Sequence, residues 1–439
     1  MNIESFKTPI LIFVFIFMIS VIHAQNEYDL LGKGARAAGM GYAFNAIADD
    51  ATAISWNPAG MVQIKKPEIA FVNSLKATKY NHIFYSDNIY NPQYNIDYAG
   101  LIYPLKVKMR DLSFGVSFQN KTNSKSVYTT GNDTTLEFED YSTKLTINSL
   151  SISGAYSITR FLGIGISYNQ WFSLGNKSDG YEYHNTRNWI DKEEYPYDLN
   201  TVELAETFKY RASNITAGIL LDFSTFHLPL RFALKYESKF VLKNDWNGSF
   251  RSDYLYKNNI DTIYLEKWDG IQKGHFPAIL AMGISYRIGD YFTIACDFDM
   301  KPFKDRDYSW DYSYCKFRIT TQTDTILCGS YNEIHHLTKS NSNLNQFRIG
   351  AEYIIHPKFA LIPVRAGWKN NPTSIGDQVS PKQVFAHSLN FGTGVITKHI
   401  SMDLAYERYV YNRDIIIMDN YYSEEKIFHF FILSLILSF

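Results

Sequence analysis

From about residue 66 onward the chain alternates apolar and polar positions in runs of about ten residues, each closed by a turn or a polar stretch. In HISMDLAYERYV (399–410), Ile400, Met402, Leu404 and Tyr406 share one face, while Ser401, Asp403, Ala405 and Glu407 share the other. Side chains alternate across a strand with period two, so each such run is a strand with one apolar and one polar face. Leu112, Phe114, Val116 and Phe118 repeat the pattern against Ser113, Gly115, Ser117 and Gln119. So do Leu162, Ile164, Ile166 and Tyr168 against Gly163, Gly165, Ser167 and Asn169. Fourteen segments qualify: 67–75, 94–105, 110–120, 146–158, 161–173, 208–222, 229–241, 278–288, 290–301, 346–356, 359–369, 386–396, 399–410 and 427–439. The first two alternate least.

The connections alternate as regularly as the strands. Long polar stretches (121–145, 174–207, 242–277, 302–345) take turns with short ones such as Thr159–Arg160, Gly289 and Pro357–Lys358. A soluble sandwich has no reason to gather every long connection at one end. An outer-membrane barrel does, with short periplasmic turns and long extracellular loops, and an even strand count leaves both termini on the periplasmic side. Tyr168, Tyr236, Tyr286, Tyr353, Trp368 and Tyr406 continue apolar faces near strand ends, as an interfacial aromatic belt requires. In the last segment Phe431, Leu433, Leu435, Leu437 and Phe439 line one face and end in an aromatic carboxy-terminus, like the signal that hands bacterial barrels to their assembly machinery. Its other face is also rather apolar, which fits a strand packed against internal material.

Composition sharpens this picture. The 439 residues are 46% hydrophobic and 16% aromatic, yet mean hydropathy is −0.22, so the apolar residues are dispersed rather than blocked into transmembrane helices. Thirty-one Phe and 33 Tyr exclude a disordered chain. Forty-three basic against 44 acidic residues leave no cationic surplus for nucleic acid. Residues 1–24 read as a secretory signal, with Lys7 before the apolar run 10–22 and Ala24 at the cleavage point. Of the three cysteines, Cys315 and Cys328 lie close enough in sequence for a loop disulfide worth roughly 3 kcal/mol.

Residues 25–66 break the strand rhythm. GKGARAAGMGYAFNAIADDATAISWNPAGM (32–61) is rich in small residues and carries two short helical patterns, the second running from Asp50 to a stop at Pro58. This block, with its Asn57-Pro58-Ala59 element, resembles the N-terminal hatch of FadL-type outer-membrane transporters of long-chain fatty acids and other hydrophobic compounds. FRIGAEYII, PVRAGWKNNP and MDLAYERY resemble that family's late strands. The resemblance implies an all-β fold: a 14-stranded antiparallel transmembrane β-barrel (67–439) with a plug inside it (25–66). It implies a monomer in the bacterial outer membrane, taking up hydrophobic molecules without cofactor or metal, and Asn57, Pro58, Ala59 and Gly60 as the gating element. In the family an inward kink of the third strand opens the wall sideways; here the matching segment offers only Gly115. Plugged 14-stranded relatives of another kind, the PorV-type components of type IX secretion, bind cargo proteins, and that reading stays open beside transport.

Sharper motifs are absorbed by plainer readings. GKGARA has no preceding strand, so it is not a dinucleotide loop. His335 and His336 are adjacent and poorly placed to share a metal ion. His387 and Ser388 face opposite sides of one strand, and no enzyme signature survives. The charges on polar faces, among them Asp297, Asp299, Arg348, Glu352, Arg365, Asp403 and Glu407, belong in a lumen, since a cation facing lipid costs on the order of 2–4 kcal/mol near the midplane. They form either a paired network holding the plug or a site for a ligand carboxylate, for which Arg348 and Arg365 are the candidates.

Overall fold

The computed structural model describes residues 31–439 apart from 82–87, 133–136, 174–179, 189–198, 257–258, 305–306, 321–323, 337–342, 377–382 and 418–419. The segment read as a secretory signal lies outside the described residues. Among the described residues nineteen strands form one antiparallel sheet that closes on itself through β1 (Glu68–Asn81) and β19 (Asn420–Ser438), paired from Glu68↔Ser438 to Tyr80↔Lys426. Closure satisfies the backbone groups that an open edge would leave bare in lipid.

Fourteen of the strands make the continuous ring. In ring order they are β1, β2 (Asn88–Val107), β3 (Arg110–Asn132), β4 (Glu137–Ser157), β5 (Leu162–Phe172), β7 (Leu199–Asp222), β8 (Leu230–Glu237), β11 (Ile279–Ile288), β12 (Phe292–Met300), β15 (Gln346–Ile355), β16 (Ile362–Gly376), β17 (Gln383–Ile396), β18 (Ile400–Ile417) and β19. These are the fourteen segments that alternation marks. The long connections are not the irregular loops that their polarity suggests. Five further strands, β6 (Gly180–Asn188), β9 (Phe240–Tyr256), β10 (Asn259–Phe276), β13 (Asp307–Thr320) and β14 (Asp324–His336), continue the wall beyond the ring as a tall skirt. Cys315 and Cys328 are bonded across the β13–β14 pair.

The polarity of the ring is inverted relative to a soluble protein. Phe114, Val116, Ile152, Ile166, Leu389, Phe391, Met402 and Leu404 point outward and are exposed, while Ser117, Ser153, Asn390 and Asp403 point inward and are buried. An apolar exterior around a polar interior is the arrangement of a barrel in lipid. Tyr168, Tyr236, Tyr286 and Tyr353 stand exposed on the outer surface as well. Among the described residues no helix is long and apolar enough to cross a membrane.

Residues 31–64 fill the end of the lumen where the turns are short. The segment holds two short helices, α1 (Ala35–Gly39) and α2 (Ala53–Trp56), and a 3-10 turn over Pro58–Gln63. Its apolar residues pack with inward-facing Ile102, Ala155, Ala295, Ala405, Ile432 and Ile436. Ile432 and Ile436 explain why the second face of the last strand is apolar: it backs the plug.

Candidate functional site

The plug is seated by wall carboxylates. Arg36 of α1 donates twice to Glu352, at 3.0 and 2.9 Å, and once to Asp49 at 2.6 Å. Arg365 shares Glu352 at 2.6 Å and reaches Asp403 at 2.6 Å. Asp297 accepts the backbone amides of Phe44 and Asn45 at 2.8 and 3.0 Å, and Arg348 lies between Asp297 and Asp299. Glu407 accepts the Tyr42 hydroxyl at 2.6 Å and pairs with Lys369 at 3.1 Å. A buried charge keeps its ionised form only when it is paired and hydrogen-bonded, and breaking such a pair costs about 3–5 kcal/mol. Arg348 and Arg365, the two arginines considered for a ligand carboxylate, are both buried in this network with carboxylates on their guanidinium groups.

The Asn57–Gly60 element is the second seat. The Asn57 amide donates to the Ile219 carbonyl at 3.1 Å, and its oxygen caps the following turn by accepting Ala59 N–H at 3.1 Å. This fit needs bare backbone opposite: a methyl group at Gly218 would collide with the Asn57 side chain, and one at Gly165 with the Pro58–Ala59 peptide. Gly115 has a similar role. It lies in an unbroken ladder between Ile102 and Ser153, and Ile54 and Met61 of the plug occupy the space beside it. The irregularity of this wall lies six residues further along.

There the sheet parts. β2 and β3 pair from Val107↔Arg110 up to Tyr98↔Gln119, and above that rung β2 pairs only with β1 and β3 only with β4 among the described residues. Each strand carries one extra residue just past the last shared rung, Asp97 on β2 and Lys121 on β3. Such a bulge bends its strand and ends a pairing. A hydrogen bond of 2.5 Å from the Asn123 side chain to Asn95 spans the seam.

Above the plug the lumen changes character in two steps. First comes a belt of amides: Asn120 donates to Asn148 at 3.0 Å, Asn169 to Asn214 at 3.1 Å and Asn244 to Gln272 at 2.9 Å, while Gln119 holds the Leu31 carbonyl of the plug at 3.1 Å. Then the interior turns aromatic. Trp171, Phe240, Phe276 and Phe303 form a row, with successive ring centroids 4.8, 4.8 and 5.9 Å apart. Tyr210, Leu242 and Trp246 join the same buried cluster. The row follows a crease in the wall. Each of its members adjoins a point where a ring strand gives way to a skirt strand: after Phe172, at Ser238–Lys239, at Pro277 and around Pro302. Proline supplies no ladder donor, and serines restitch two of the other breaks, Ser173 N–H to Tyr210 and Ser238 N–H to Ile215.

Sequence reasoning missed the row and the seam. An aromatic beside a proline at the end of an alternating run (Phe276-Pro277, Pro302-Phe303) was the available signal for the row. Lys121 stands one residue beyond the alternating stretch, where alternation carries no information.

No family model matches the chain, and no curated protein matches it in sequence. Solved structures match its fold. A FadL homologue of Pseudomonas aeruginosa superposes with a TM-score of 0.57 at 12% identity, over 93% of this chain and 98% of that one. The toluene transporter TodX of Pseudomonas putida gives 0.57 at 12%, over 94% and 99%. The toluene transporter TbuX of Ralstonia pickettii gives 0.52 at 14%, over 94% and 100%. At such identities the likeness is one of fold, and it extends over nearly the whole length of each chain.

Proposed function

We propose that this plugged barrel, of the same fold as FadL-type transporters, is an outer-membrane channel for diffusion-driven uptake of hydrophobic compounds such as long-chain fatty acids. The observation that carries the reading is the aromatic row at the crease between ring and skirt. A lumen meant for water and ions stays polar, whereas this one places Trp171, Phe240, Phe276 and Phe303 side by side facing inward, which suits an apolar ligand of elongated or flat shape. The same lining favours a small apolar ligand over a secreted cargo protein. The solved transporters of this fold, including those for toluene, point the same way.

In this reading the ligand enters through the skirt, rests against the row, and meets the amide belt and the seated plug below. The β2–β3 seam opens beside that resting place, so the ligand leaves sideways into the outer leaflet without the plug being expelled. Binding of labelled fatty acids to the purified protein, and their transfer into liposomes containing it, should both fall severalfold in Phe240→Ala and Phe276→Ala. Wild-type protein that neither binds nor transfers them would reject the reading.

A further inference from the structure

Nearly every lumenal cation has a carboxylate. Lys235 pairs with Glu237 at 2.8 Å, Lys301 with Asp299 at 3.7 Å and Lys369 with Glu407 at 3.1 Å, and Arg36, Arg348 and Arg365 are held as described above. Lys121 differs. Among the described residues no carboxylate lies within ion-pair distance of its ammonium, which donates to Gln119 Oε1 at 2.7 Å and stands 5.2 Å from the centre of the Trp171 ring. An ammonium has three donors and here uses one on a neutral oxygen. Its place is as unusual as its pairing. It is the bulge residue of β3, just past the last β2–β3 rung, and it touches the first ring of the aromatic row. Glu237, already paired with Lys235, lies within its electrostatic reach, as does Lys33 of the plug. Lys33 forms no ion pair among the described residues, and the counter-charge that acts on it is the Asp97 carboxyl.

We propose that Lys121 is the specificity-determining residue of the channel, anchoring the anionic head of an amphiphilic ligand at the β2–β3 seam while the apolar tail lies along Trp171, Phe240, Phe276 and Phe303. The inference rests on the channel reading above and moves the head-group contact away from Arg348 and Arg365, whose charges already seat the plug. A charge-assisted hydrogen bond to a carboxylate would add to the bond to Gln119 and use a second of the three ammonium donors. Lys33 adds a second positive charge from the plug side, so the bound head would lie between a residue of the wall and a residue of the plug. A neutral hydrocarbon could fill the row but would gain nothing from either cation.

The test compares a long-chain fatty carboxylate with its methyl ester on the purified full-length barrel in a non-ionic detergent. Wild type should bind the carboxylate at least about tenfold more tightly than the ester, a margin ordinary for one charged hydrogen bond in a partly dry site. Lys121→Gln should bring the ratio near one, Lys121→Arg should retain most of it, and Lys33→Gln should lower it part of the way. Equal affinities in wild type would overturn the anchor and leave the channel reading standing, as would a ratio that survives in Lys121→Gln. Failure of wild type to bind either compound would end both.

Discussion

Single residues in this molecule are informative where their chemistry disagrees with their surroundings. Glu206 lies in the skirt part of β7, beyond the ring, and accepts the Trp246 indole N–H at 2.9 Å. Burial pushes its carboxyl up to about 7, more than the indole bond pulls it down. In the unfolded chain the group would titrate near about 4.3. Between those values the folded state holds a proton that the unfolded state has released. Stability contributed at this position therefore falls as pH rises from about 4 to 7 and levels off above that. Thermal unfolding in detergent should show this decline in wild type, and Glu206→Gln, which keeps an acceptor for Trp246 without a charge, should flatten it. An unaltered pH profile in the variant would place the titration elsewhere. Arg348 and Arg365 show the opposite case, since residue type pointed to a ligand while their partners were invisible in one dimension. Asp299 and Asp403 lie 49 and 38 positions away from them, and pairing across a sheet is what brings them near.

At the scale of elements, period-two alternation located all fourteen ring strands because lipid outside and a polar lumen inside write the same code on every one. The code lapses where the environment no longer differs between faces. The skirt strands lie beyond the ring, and β9, β10 and β13 turn aromatics inward among polar neighbours, so these stretches read as polar loops. The seam escaped notice for a related reason: Asp97 and Lys121 are single insertions, and one residue shifts the phase of a pattern without erasing it. Gly115 attracted attention as a residue type, yet its bareness serves the plug rather than a kink. If the seam is the exit, closing it should stop transfer while leaving the row accessible. Asn95 and Asn123 already meet across it, so the pair Asn95→Cys and Asn123→Cys should bond under oxidation. The oxidised variant should bind fatty acid, fail to pass it into liposomes, and recover on reduction, with reduced wild type as the control for Cys315–Cys328. Undiminished transfer by the oxidised form would exclude this route.

For the molecule as a whole, the seating of the plug sets how leaky the barrel is. Glu352 and Asp297, on the neighbouring strands β15 and β12, hold it at two points, one through the Arg36 guanidinium and the other through two backbone amides. Each charge-assisted hydrogen bond is worth on the order of 1.5–3 kcal/mol. Removing either carboxylate also strands a buried donor. The double variant Glu352→Gln and Asp297→Asn should raise ion conductance in planar bilayers well above that of wild type and lower the unfolding temperature. Unchanged conductance would mean that the steric fit at Gly165 and Gly218 seats the plug unaided.

That fit also constrains how the molecule comes to exist. The plug precedes the first strand in the chain, and only residues 65–67 separate it from β1, which in turn is the strand that pairs with the last. Once β1 and β19 have joined, segment 31–64 is enclosed by a wall whose sockets touch it from many strands, so a plug arriving afterwards would have to find all of them at once inside a closed ring. A plug in place before the ring closes would serve as the mandrel around which the sheet is wrapped. Substitutions that spoil its sockets would then appear first as barrels that never mature, long before they could be measured as altered permeability.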